Sequence, residues 1–235
     1  MSEIETFAAR IKAFNRKLAF KGKLPPGIAV LNPFRETPTA QKYSELFYDK
    51  FYADGNKRWP ILGINPGRHG GGLTGVPFTD WKRLRDACAI PVEAGLSSHE
   101  PSSEFVYCYI AALGGPAEFY QHFYISSLCP LGFIREKAKG RWVNYNYYDD
   151  PALYTAAEPF IIHTLKQQIA LGLHTEECFV MGVKNYAFFK KINEAHRFFD
   201  TLTELPHPRF IVQYRRREMD AYVGQYASEL GRRMS

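Results

Sequence analysis

The sequence predicts an α/β fold, a three-layer αβα sandwich around a central, mostly parallel sheet of four strands. Three observations carry this. Four short runs are largely apolar from end to end: RWPILGI, HFYISSLCPLGF, ECFVMG and LTELPHP. A strand buried on both faces reads this way, whereas a strand with one wet face alternates. Longer segments between these runs place apolar residues at helical spacing. Each run also leads into a turn (GINPG, SSLCP, GVKN and PHP). In open α/β sheets ligands bind at the carboxyl ends of strands, so the four turns are expected to converge on one cleft.

In chain order, residues 4–20 (IETFAARIKAFNRKLAF) place Lys and Arg between apolar residues and predict a helix. Pro25 and Pro26 stop its continuation. Ala40 to Tyr52 predicts a second helix, and RWPILGI is the first buried strand. Asp80 to Ala89 predicts a helix capped by Thr79 or Asp80. Residues 104–113 (EFVYCYIAAL) fit a helix or a strand equally. HFYISSLCPLGF runs as a strand into a Cys-Pro turn, and Asn144 to Asp150 reads as a polar, tyrosine-rich loop. Pro151 to Leu171 predicts a long helix with proline in its first turn. Glu177 to Gly182 is the next strand, and Val183 to Phe199 is mostly helical. LTELPHP is a short strand ending at His207, and residues 216–231 form a last helix.

The 235 residues are 46% hydrophobic, and no linker or repeat divides them. One domain over residues 1–235 is expected, with residues 1–55 as a helical extension packed on it. No apolar run is long enough for a membrane span, and the charged N-terminus does not read as a signal peptide. An intracellular monomer without a membrane partner is expected. The four cysteines are widely spaced, which points to reduced thiols rather than a metal site. No metal or organic cofactor is implied. A net charge of +6 with 15% aromatic residues favours a polyanionic partner and surfaces on which bases stack.

The segment GINPGRHGGGLTGVPF, Gly63 to Phe78, holds six glycines and two prolines. It does not spell a nucleoside-triphosphate loop or a dinucleotide fingerprint. His69-Gly70-Gly71-Gly72 looks like an esterase oxyanion loop, but no Gly-x-Ser-x-Gly turn accompanies it. What remains is Gly63-Ile64-Asn65-Pro66-Gly67, then Thr74-Gly75-Val76-Pro77-Phe78, and His207-Pro208 near the C-terminus. In these motifs and their order the chain resembles the uracil-DNA glycosylase superfamily, and within it the single-strand-selective monofunctional type. Ser127-Leu128-Cys129-Pro130-Leu131 is similar to a strand end of that family that reads Asn-Leu-Cys-Pro-Leu.

The resemblance implies a uracil-DNA glycosylase-like fold and a monofunctional DNA glycosylase. It would remove uracil and, through the chain's departure from the family pattern at Ser127, other deaminated bases such as hypoxanthine or xanthine, from single-stranded or duplex DNA during base excision repair. Such an enzyme breaks the C1′–N bond of a flipped-out base. Asn65 would position the water, and His207 would donate to a base oxygen as negative charge grows there. Phe78 would stack on the base, and backbone groups of Gly63, Ile64 and Gly67 would approach it. Each residue also has a plainer reading: Asn65 a turn residue before proline, His207 a loop histidine, Phe78 a core residue.

The chain departs from the family pattern at two places. Ser127 stands where the family has an asparagine, which implies a roomier, less selective base pocket, with Ser126 as a lesser substitute donor. After His207-Pro208 the chain reads Arg209-Phe210-Ile211-Val212-Gln213-Tyr214 and then Arg215-Arg216-Arg217. Arg209, Phe210 or Tyr214 would fill the gap left by a flipped base, and the arginine run would contact phosphates or simply begin a solvated helix. Two other readings stay open: a non-catalytic binder of damaged or single-stranded nucleic acid, and a hydrolase of free nucleosides.

Overall fold

A computed structural model describes residues 5–234. Ile4, where the first predicted helix begins, lies outside them. The strands are β1 (Ile28–Leu31), β2 (Trp59–Gly63), β3 (Phe123–Ser127), β4 (Gly132–Ala138), β5 (Arg141–Tyr145), β6 (Glu177–Met181) and β7 (Thr201–Leu205). The central sheet has four strands in the order β3-β2-β6-β7, and every pairing in it is parallel.

Alternation along these strands explains why they are apolar on both sides. Ile61, Phe179 and Met181 join one buried cluster with Phe7, Phe47, Phe105 and Tyr226. Their neighbours Leu62, Cys178 and Val180 point the other way, into a second cluster with Leu153, Ile161, Leu165 and Phe189. Helices Phe7–Lys17, Pro38–Phe51, Pro101–Ala112 and Met219–Gly231 cover the first face. Helices Pro151–Ala170 and Val183–His196 cover the second. This is the expected αβα sandwich. The four cysteines are unpaired, and no described helix is long and apolar enough to cross a membrane.

Several elements differ from expectation. The ambiguous segment 104–113 falls in helix Pro101–Ala112, with Pro101 in its first turn. Both sides of this helix are buried, which erased its periodicity. Asp80, not Thr79, caps helix Trp81–Asp86, accepting from Arg83 N–H at 2.9 Å. Arg216–Glu218 form a 3-10 turn before the last helix.

Residues 1–55 are not purely helical. Strand β1 pairs with β4, and β4 with β5, in a second, antiparallel sheet that the sequence reading missed. The hairpin turns at Lys139-Gly140, between the paired Ala138 and Arg141. Asn144 and Tyr145, expected in a loop, end β5. Phe7, Ile11, Tyr43 and Phe47 share the cluster of Ile61, so the N-terminal segment builds the main core rather than lying on it. The other unexpected element is helix Pro208–Tyr214. His207 caps it and Pro208 occupies its first turn.

Candidate active site

At the carboxyl edge of the sheet, β2 ends at Gly63 and the chain turns through Ile64, Asn65, Pro66 and Gly67. The turn after β3 braces it from behind: Leu128 N–H donates to Gly63 O at 2.9 Å, and Cys129 N–H to Ile64 O at 3.1 Å. The end of β5 holds it from the front. Asn65 Nδ2 donates to Tyr145 O at 3.2 Å, and Asn65 Oδ1 accepts from Tyr147 N–H at 3.3 Å. Asn144 Oδ1 accepts from Arg68 N–H at 3.0 Å. The Tyr147 hydroxyl in turn donates to Asn185 Oδ1 at 3.0 Å, and the Asn185 amide donates to Leu62 O at 3.3 Å and Met181 O at 3.4 Å. The Asn65 amide is thus fixed at both ends, with one N–H and one oxygen lone pair left for a water.

Phe78 closes the glycine-rich segment with φ at +52°, a left-handed conformation that costs a bulky residue energy and recurs at functional sites. The buried Thr74 hydroxyl ties this turn, donating to Thr79 O at 2.7 Å. A Cβ at Gly63 would lie 2.8 Å from the Phe78 ring, so glycine at the end of β2 is what lets the ring settle there.

His207 follows β7. Its Nδ1 accepts from Arg209 N–H at 3.0 Å. Burial, and then the charge of Arg209, push the imidazole down to about 4. At neutral pH the ring is therefore uncharged. With Nδ1 accepting, the proton sits on Nε2 and is free to be donated. The His207 and Phe78 rings lie 6.1 Å apart, centre to centre.

A cavity of about 270 Å³ joins these groups. Ile64, Asn65, Gly67, Phe78 and His207 line it, as do Arg209, Phe210 and Tyr214 toward its mouth. Of the four turns expected to converge, GINPG and PHP reach the cavity. SSLCP and GVKN instead support it, the first through the bonds above and the second by packing Gly182 against the His207 ring.

Other predicted positions fall elsewhere. Ser126 and Ser127 are 4% and 3% exposed and line a separate small void with Tyr48, Pro66 and Pro77. Ser127, expected at the base, sits beside Gly63 in the β2–β3 register, and its carbonyl accepts from Gln168 Nε2 at 3.2 Å. Gly63 supports Phe78 rather than lining the cavity. None of the three consecutive arginines lines it either. Arg215 pairs with Glu218 at 3.5 Å and Arg216 with Glu104 at 2.6 Å. Arg217 is exposed and has no ion pair among the described residues.

Glu100, Ser102, Asn144, Asn146 and Gln213 complete the lining, and the sequence reading named none of them. Asn144 arrives on the unforeseen hairpin. For Glu100 the only signal was Pro101 after it, which marks a helix start but no chemistry.

A fixed amide, a strained aromatic ring and a neutral imidazole donor thus share one pocket at the carboxyl edge of an αβα sheet. The family model for the uracil DNA glycosylase superfamily matches residues 50–231. A single-strand selective monofunctional uracil-DNA glycosylase of Rattus norvegicus is 32% identical over 99 residues, 35% of this chain and 36% of the relative. The same holds for its counterpart in Mus musculus. The match thus spans about a third of the length of these curated relatives. The crystal structure of Pedobacter heparinus SMUG2 superposes with a TM-score of 0.93 at 48% identity, covering 96% of this chain and 97% of that one. The chain belongs to the uracil DNA glycosylase superfamily.

Proposed function

We propose that the protein is a monofunctional DNA glycosylase that hydrolyses the N-glycosidic bond of uracil and other deaminated bases, hypoxanthine and xanthine among them, in DNA, as the first step of base excision repair. The carrying observation is the shared cavity of Asn65, Phe78 and an uncharged His207. A flipped nucleotide places its base on Phe78. Nε2–H of His207 donates to a base oxygen, where negative charge grows as the C1′–N bond breaks with its electron pair leaving on the base. Asn65, held by Tyr145 and Tyr147, keeps a water in line with C1′; the water adds its hydroxyl to the sugar and releases a proton. An amide is too weak a base to drive this step alone, so orientation is its contribution. Among the described residues no lysine lines the cavity to form a Schiff base with the sugar, in keeping with hydrolysis without strand cleavage.

The polar lining proposed to read the base is Ser102, Asn144 and Asn146 instead of Ser126 and Ser127. The test is a single-turnover assay on single-stranded and paired oligonucleotides bearing one uracil, hypoxanthine or xanthine. The expected product is an abasic site in an intact strand. Binding without excision would make the protein a non-catalytic binder. Cleavage of free deoxyuridine with no response to salt would make it a nucleoside hydrolase.

A further inference from the structure

Asn65, Phe78 and His207 account for a leaving pyrimidine, but the same cavity is also lined by a carboxyl group, that of Glu100. Glu100 precedes helix Pro101–Ala112, yet its side chain does not cap it. Its backbone N–H donates to Asp80 Oδ2 at 3.0 Å, while the side chain folds back onto the glycine-rich segment. A Cβ at Gly70 would sit 1.8 Å from Glu100 Oε2 and 2.2 Å from its Cδ, so only glycine leaves this berth open. Oε2 is shut off from solvent and has no hydrogen-bond partner. Native proteins rarely leave such an atom unpaired; the other oxygen of the same carboxyl, Oε1, is not sealed off in this way and is the one that a ligand in the cavity can reach.

The charges around it come from three places. Asp80, just ahead of helix Trp81–Asp86, already accepts from Arg83 N–H, the Arg83 guanidinium, Glu100 N–H and the Ser103 hydroxyl. Its carboxylate opposes a second negative charge beside it. Arg83 and, from helix Pro208–Tyr214, Arg209 act the other way. Gly70 contributes backbone only. Burial, seconded by Asp80, raises the Glu100 carboxyl to about 8. At neutral pH Glu100 is thus an O–H donor, and the protein supplies it with no acceptor.

We propose that Glu100 is the general acid for deaminated purines, donating its carboxyl proton to N7 of a flipped hypoxanthine or xanthine. This rests on the glycosylase reading and extends it. A pyrimidine has no counterpart of N7, and uracil leaves on the His207 hydrogen bond alone. A purine protonated at N7 leaves neutral: the electron pair of the C1′–N9 bond stays on N9, and the Glu100 proton stays on N7. Water adds its hydroxyl to C1′ and gives its proton to solvent, from which the Glu100 carboxylate is reprotonated. Asn65 and Phe78 serve both substrates, and Glu100 distinguishes them.

The experiment compares single-turnover excision of uracil and hypoxanthine from otherwise identical oligonucleotides by wild-type protein and Glu100→Gln, from pH 6 to pH 9. In the variant, hypoxanthine excision is expected to fall relative to uracil excision by about 10²-fold, the scale of a lost general acid. In the wild type, hypoxanthine excision is expected to decline as pH rises through the Glu100 range, and the variant is expected to lack that limb. Three results would overturn the proposal: equal losses on both bases, a wild-type hypoxanthine profile flat across this range, or a wild type that removes uracil and never hypoxanthine. The last two need no variant and leave the glycosylase reading standing. A wild type that removes neither base would overturn both.

Discussion

The two walls of the cavity are built on different principles. The Asn65 wall is locked: the turn after β2 is bonded from behind by the turn after β3 and from the front by the end of β5, and Tyr147 carries the lock to Asn185 and the strand ends. The His207 wall is one short helix, Pro208–Tyr214. One side of it is anchored in the core by Pro208, Ile211 and Val212, and the other carries Phe210 and Tyr214, 42% and 67% exposed. The contrast separates two demands. A water must be held to a fraction of an ångström, and only converging backbones do that. In the proposed reaction DNA is gripped in varied conformations, and aromatic side chains on the exposed side of a helix suit that.

The largest effect is expected on the locked wall. Asn65→Ala should lower single-turnover excision by about 10²–10⁴-fold while leaving affinity for uracil-containing DNA near that of the wild type. Parallel loss of binding and excision would mean that this wall grips as well as catalyses, and the comparison would break.

His207 joins the two walls, and its variant ranks next. His207→Ala should cost about 10²–10³-fold in excision, the scale of a lost donor to a developing oxyanion. Its pH dependence has a definite sign. The folded state holds the imidazole near 4, below the ordinary 6.5 of an unfolded chain. Unfolding therefore takes up a proton between these values, and this contribution to stability, complete above about 6.5, is lost as pH falls toward 4. Thermal melts over that window should show a steeper decline for the wild type than for His207→Ala.

On the exposed helix the expected losses move from rate to affinity. Phe210→Ala and Tyr214→Ala should each weaken DNA binding by about 1–3 kcal/mol if a base stacks on the ring, with smaller changes in the rate at saturation. The two rings lie 5.9 Å apart, so the double variant should lose less than the sum. A fall in the saturated rate matching that of Asn65→Ala would show that this wall also sets the chemistry.

The same division governs what was legible in the sequence. The parallel sheet could be read because each strand is buried on two faces, a local and continuous signal. Asn65, Phe78 and His207 stand out as candidates because each lies in a short contiguous motif that a family resemblance can match. Glu100 and Asn144 could not, because each reaches the cavity through a long-range packing event. The β4–β5 hairpin was overlooked although Lys139-Gly140 marks its turn. Ser127 is expected at the base from its place in a motif, and the strand register sets it beside Gly63. Helix Pro208–Tyr214 is signalled by His207-Pro208 itself, a capping side chain followed by proline, a structural signal that its resemblance to a catalytic motif hides.

The smallest expected effect lies just beyond the exposed helix. Arg215 and Arg216 are engaged with Glu218 and Glu104, so a phosphate must compete with a carboxylate for either. Arg217 has no such competitor among the described residues and sits in the turn after Tyr214. A cation that contacts one phosphate releases about one counterion, so Arg217→Ala should lower the slope of log affinity against log salt by about 0.9. Arg216→Ala should change it less, because Arg216 is already paired with Glu104 and has less of a phosphate contact to lose. Titrations from low to moderate salt measure both slopes. Equal changes would mean that the ion pairs open on binding, and that the projecting wall remodels its charges as well as its rings to fit DNA.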